Sequence, residues 1–169
     1  NGDFYNVSTG LPIGMVVTEG LLRSSDAGYY AIGFRADSSA ILGKPGVKVS
    51  ANLGYAVDDG FGNSTKLVRP VAAVNKARTN SGIFLYTYDF NAKHTTGTTE
   101  AGVNVVCAIE EGSLTIGGTV TARVERVEES TVTALQPGEI VLSANSQADT
   151  YYSGALQSMQ PGSTVTLSV

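Results

Sequence analysis

With 169 residues, a net charge of −4 and 42% hydrophobic residues, the chain suits one domain and is long enough to bury a core. Its charge is uneven: residues 1–80 carry eight basic and six acidic side chains, residues 81–169 three basic and nine acidic. No dense Lys/Arg patch with interleaved aromatics occurs, which argues against nucleic acid, and no apolar run approaches the ~18 residues of a membrane helix.

The first twenty residues combine a polar triplet, Asn1-Gly2-Asp3, with two aromatics, Phe4 and Tyr5, and a loop carrying Gly10, Pro12 and Gly14. Glycine allows a ligand to approach the backbone closely, so such a loop can present N–H groups to one; it also reads as an N-terminal turn with hydrophobic anchors. An apolar run ending at Glu19-Gly20 enters a hairpin.

Strands are expected at 15–22, 29–34, 40–42, 47–57, 67–74 and 83–88, then at 103–109, 119–127, 140–144 and 164–169. β-Branched and aromatic residues fill these runs, and Gly or Asp/Asn clusters separate them. Residues 47–52 and 120–127 alternate apolar with polar and are expected to be half exposed. Val103–Ile109 is continuously apolar and is expected to be central, with Cys107 a buried small hydrophobe. A lone cysteine excludes an internal disulfide.

One helix is expected, over Ser146–Gln160. Ala148, Tyr151, Tyr152, Ala155, Leu156 and Met159 recur at spacings of three and four, Asn145 or Ser146 caps the start, and Pro161-Gly162 stops it. The chain therefore reads as mainly β, the β-rich part of an α+β domain, with mixed or antiparallel strands and one short helix near 146–160. It forms a single unit over 1–169, with a soft sub-boundary at 58–65.

Chemistry-bearing motifs are few. His94 stands alone in a Thr/Lys-rich loop, so it reads as a solvated loop residue, and neither a zinc site nor a Ser-His-Asp triad is supported. Walker and dinucleotide fingerprints are missing, and no cofactor is indicated. Carboxylates remain, because sugar cleavage commonly uses a pair of them. Asp3, Asp26, Asp37, Asp58, Asp59 and Asp89 qualify by type, and spacing does not pair them.

Several segments, in order, resemble the phosphodiester glycosidase family, which includes the N-acetylglucosamine-1-phosphodiester α-N-acetylglucosaminidases. They are Asn1-Gly2-Asp3-Phe4-Tyr5, the run 8–17, Ser24-Ser25, the run 31–37, Val74-Asn75-Lys76-Ala77-Arg78, Leu85-Tyr86-Thr87, the run 95–106, 138–144 and 160–167. The run 95–106 and those around it are similar to the bacterial branch. The resemblance implies a hydrolase cleaving the glycosidic bond of a phosphodiester-linked sugar, on a bacterial surface or secreted. It places Asn1, Gly2 and Asp3 along one side of the substrate, and Tyr5 or Phe4 either against the sugar or in the core, the core being favoured for Phe4. Arg78 becomes the anion partner, a role it shares with the plainer one of an exposed strand-end arginine.

Asp3 occupies a position where the family often has Gly, so the general acid is not carried over to it, and the catalytic set stays unassigned. The family's Asn-Leu-Asp-Gly-Gly-Gly-Ser-like segment does not occur. The chain also begins with Asn rather than Met. Both features lead to the expectation of an internal fragment, inactive alone, against which the rest of its parent domain packs. The alternative is a non-catalytic carbohydrate-binding or structural module of a bacterial surface protein.

Overall fold

The fold was established from a computed structural model, which describes residues 5–7, 10–58 and 64–169. Two short hairpins come first. β1 (Val16–Thr18) and β2 (Leu21–Ser24) turn through Glu19-Gly20, both in the left-handed region, which divides the expected 15–22 run in two. β3 (Ala31–Phe34) and β4 (Ala40–Gly43) form a separate two-stranded sheet.

Seven longer strands close into a barrel. They are β5 (Val49–Asp58), β6 (Ser64–Val74), β7 (Ile83–Thr87), β8 (Gly102–Gly112), β9 (Thr119–Ser130), β10 (Glu139–Asn145) and β11 (Thr164–Ser168). Their order around the barrel is β10-β7-β6-β5-β11-β9-β8, with β8 returning to β10. All pairs are antiparallel except β6 with β7. Closure leaves no edge among these strands. The soft boundary at 58–65 falls within the β5–β6 hairpin; residues 59–63 lie outside the described residues, and the strands pair on either side of them.

Strand alternation explains the core. Val49, Ala51 and Leu53 of β5 point inward, as do Val120, Ala122 and Val124 of β9 and Val165 and Leu167 of β11, with partly or fully exposed residues between them. β7, β8 and β10 are apolar on both faces because both are covered. Ile83, Leu85, Val103, Val105, Cys107, Ile140 and Leu142 fill the barrel. Phe84, Tyr86, Val106 and Val141 form a second cluster outside it, beneath Phe90 and Leu135. The continuous hydrophobicity of Val103–Ile109 is thus the mark of a two-sided strand.

The helix is shorter than expected: α1 spans Ser153–Gln157. Upstream, Asn145 Oδ1 accepts the Gln147 amide at 2.8 Å and Asp149 Oδ1 accepts the Tyr151 amide at 2.8 Å. These side chains offer the backbone a turn in place of a helix. Asn145 is the last residue of β10, not a cap. Of the periodic residues, Ala155, Leu156 and Met159 join the barrel core, whereas Tyr151 is exposed beneath the Arg69 guanidinium, 3.8 Å from its ring.

Gly54 is required where β5 passes β11. Its φ is +57°, and a Cβ there would overlap the Thr164 carbonyl. We expect Gly54→Ala to destabilise the protein by about 2–3 kcal/mol, from left-handed strain plus displacement of β11. An unchanged urea midpoint would disprove that constraint.

Cys107 is fully buried, and burial raises its thiol pKa from 9.0 to about 12. A folded-state pKa above the unfolded one contributes stability that is complete below pH 9 and is lost as pH climbs towards 12. Tyr86 shifts in the same direction for the same reason. A thiol reagent should therefore leave the native protein unlabelled at pH 8 and label it only on unfolding. Stability should fall between pH 9 and 12, less steeply in Cys107→Ala.

Candidate functional site

The site is built on the eight residues 75–82 that join the parallel strands β6 and β7. Parallel neighbours usually need a crossover of about a dozen residues or more. Here the return is short because only Val71–Val74 overlap Ile83–Leu85. At ~3.3 Å per strand residue the chain must climb back only about 10 Å. The sharp exit is made by Asn75, in the left-handed region at φ +51°.

Asn75 locks this exit with its side chain. Its Nδ2 donates to the Arg23 carbonyl at 2.7 Å and to Thr87 Oγ1 at 2.8 Å, and its Oδ1 accepts the Thr87 amide at 2.9 Å. Its own amide donates to the Leu85 carbonyl at 2.9 Å. Just before it, Val74 exchanges main-chain and hydroxyl bonds with Ser25. β2 is thereby tied to β6 and β7 through Asn75 and Ser25, while the buried Ser24 hydroxyl beside them has no partner among the described residues.

Lys76 reaches the N-terminal loop. Its ammonium donates to the carbonyls of Pro12, Ile13 and Gly14 at 2.9, 2.8 and 2.9 Å. Charge-assisted bonds of this kind are about twice as strong as neutral ones, and three together fix the loop's path. Tyr5 bridges Pro12 through the backbone, and its ring is exposed. Asn1, Gly2, Asp3 and Phe4 lie outside the described residues.

Arg78 folds over the outer face of β8 and β10. Its guanidinium donates to Ser143 Oγ at 2.7 Å, to the Ala101 carbonyl at 3.2 Å, to the Ala144 carbonyl at 3.5 Å, and to the Glu100 carbonyl. Four of its five N–H bonds are thus spent on the protein, and Nε–H carries none among the described residues. Burial pulls its pKa below the ordinary arginine value, partly opposed by Tyr86 and the Glu100 carboxylate. It is half-buried, neither the exposed strand-end group nor a free anion fork. Gly102 makes room for it, since a Cβ there would overlap Nη1.

Around Arg78 lies a polar network, buried at Asn104, Ser143 and Asn145 and exposed at Asn80 and Glu100. Ser143 donates to Asn104 Oδ1 at 2.5 Å, and Asn145 Nδ2 donates to Glu100 Oε2 at 2.5 Å and to Asn80 Oδ1 at 3.0 Å. The Tyr86 hydroxyl is buried beside the Arg78 main chain without reaching hydrogen-bond geometry. His94 is not a free loop residue: its ring stacks on Tyr88 at 3.7 Å and its Nδ1 lies 2.9 Å from the Tyr88 carbonyl. Among the described residues no group of three His, Cys, Asp or Glu side chains could hold a metal ion. Arg23 pairs with Asp89 at 2.9 Å on the surface, and Asp26 has no hydrogen-bond or ion-pair partner among the described residues.

No family model matches the chain, and no curated protein gives a match. Among solved structures, a hypothetical protein from Synechocystis shares the fold, with a TM-score of 0.59 and 16% sequence identity. The alignment covers 99% of this chain and 27% of that protein, so the chain spans little more than a quarter of its length. At that identity the likeness concerns the fold alone.

Sequence reasoning singled out Arg78 from the run 74–78 and missed Asn75 and Lys76. An asparagine directly after an apolar strand was the available signal, since Asn tolerates left-handed backbone. Asn75→Ala should cost about 2–4 kcal/mol through three lost bonds and added strain. Asn75→Gly should recover about 1 kcal/mol of that, because it relieves only the strain. Equal losses in urea titrations would show that the backbone geometry contributes nothing.

Proposed function

We propose that this chain belongs to a hydrolase that cleaves the glycosidic bond of a phosphodiester-linked sugar. One observation carries this reading: the segments that resemble phosphodiester glycosidases meet at residues 74–78. Lys76 holds 12–14, Val74 and Asn75 hold 23–25 and 85–87, and Arg78 holds 100–101 and 143–144. Segments far apart in sequence but joined at one junction are what a binding site requires, and packing alone does not require their polar residues there.

In this reading Asn1, Gly2 and Asp3 line the substrate, Tyr5 offers its exposed ring to the sugar, and Arg78 shapes the site through the backbone of 100–101 and 144. The Arg78 cation lends its field to a phosphate, with Nε–H the donor left uncommitted among the described residues. Residues outside this chain complete the catalytic set, and the setting is a bacterial surface or secreted protein. A second reading, a carbohydrate-binding module without hydrolysis, draws on the aromatic-lined cleft described below.

The test is release of reducing sugar from a methyl ester of a sugar 1-phosphate, a sugar 1-phosphodiester, by the protein that carries this chain. We expect turnover, with Tyr5→Ala raising KM by about tenfold, the worth of one stacking contact, and leaving kcat nearly unchanged. No sugar release at millimolar substrate would overturn the hydrolase reading. Turnover with an unaltered KM in Tyr5→Ala would remove Tyr5 from the site.

A further inference from the structure

A second feature lies beside the β3–β4 hairpin. Between the start of this hairpin and residues 14–30 is an open cleft of about 440 Å³. That is within the roughly 300–1,000 Å³ usual for small-molecule sites. Tyr29, Tyr30 and Phe34 line it with aromatic rings, Met15 and Pro45 add apolar wall, and Asp26 supplies the one charge among the described lining residues. The three aromatics are 61%, 70% and 80% exposed. Burial in a core therefore does not account for them.

The lining selects among ligands. Among the described residues it holds no Lys or Arg, and the Asp26 carboxylate repels a phosphate or carboxylate, opposed only by the Lys44 ammonium over the Tyr30 ring. A purely apolar ligand would strand that carboxylate against a group that cannot donate to it. An organic cation would compete with Lys44, whose ammonium already stands 5.1 Å from the centre of the Tyr30 ring. A pyranose ring satisfies all three conditions. Its C–H face packs on an aromatic ring, its hydroxyls donate to a carboxylate, and it carries no charge.

We infer that this cleft is a subsite for an uncharged sugar ring. The choice of a sugar rests on the glycosidase reading above; its test reads binding and not turnover. The cleft shares a wall with the site built on residues 74–78, because Gly14 lines it and the same residue's carbonyl is held by Lys76. A substrate whose phosphate lies toward Arg78 thus has an aromatic-lined place, with one carboxylate, for a further sugar on the Gly14 side.

The experiment is saturation-transfer NMR on the 169-residue chain with methyl α-D-glucopyranoside, N-acetylglucosamine, α-D-glucose 1-phosphate and choline as separate probes. We expect the two uncharged sugars to bind with a Kd of roughly 1–10 mM, with saturation strongest at ring C–H protons. Glucose 1-phosphate should bind about tenfold more weakly. Tyr30→Ala should weaken sugar binding by about fivefold or more, its fold checked by circular dichroism. Asp26→Asn, which keeps the shape of the wall, should narrow the gap between glucose 1-phosphate and the neutral sugars. Absence of saturation transfer to both neutral sugars, unchanged binding in folded Tyr30→Ala, or tighter binding of choline would each overturn the inference. Sugar binding without hydrolysis would retain the cleft and remove the hydrolase; hydrolysis without binding here would do the reverse.

Discussion

The parallel pairing of β6 with β7 is the constraint on which the rest of the structure depends. A barrel of antiparallel strands closes with tight turns, and one parallel pair obliges the chain to climb back along its own length. Here it does so in eight residues, which forces a left-handed exit at Asn75 and crowds polar backbone against β2 and β7. Each exposed donor or acceptor in such a turn must find a partner or cost ~1–3 kcal/mol. The side chains of Asn75, Lys76 and Arg78 are long or polar enough to find theirs in distant segments. The contortion that closes the barrel therefore also gathers those segments.

This arrangement gives the junction two jobs. Toward the barrel it satisfies the ends of β6 and β7; outward it sets the positions of residues 12–14 and 100–101. The two cations act differently. The Lys76 ammonium is a compact charge that draws three carbonyls to one point, whereas the Arg78 fork spreads its donors over two strands and a loop. Both spend their donors on main-chain carbonyls of distant segments, Arg78 adding the Ser143 hydroxyl.

Much of the fold was legible in the sequence. All ten expected strand runs correspond to strands, because β-branched alternation and Gly or Asp/Asn punctuation are local signals. The two-sided burial of β8 was legible for the same reason. The helix was overread: six residues at helical spacing outweighed Asn145 and Asp149, whose side chains compete for backbone amides within two residues. The parallel pair was not legible, since register between strands leaves no mark in either strand alone. The junction was invisible in a sharper sense. The bonds of Asn75 and Lys76 reach back 52 and 62–64 residues, and no periodicity encodes such pairings.

The β3–β4 hairpin shows how the same physics separates scaffold from surface. Inside the barrel, alternation sends apolar side chains to one face and is rewarded by closure. In the hairpin, Ile32 stands opposite Leu42 on one face and Ile41 lies over Gly33 on the other, and these three stay largely exposed with Tyr30 and Phe34. Two strands alone are marginal in water, so this hairpin depends on its tether to the body, partly across the cleft beside Gly14 and Met15. A ligand or neighbouring segment that covers the aromatics would therefore stabilise the hairpin as well as gain affinity, since only the covered state removes that apolar area from water. Gly14, whose carbonyl Lys76 holds, is the residue common to the junction and the cleft.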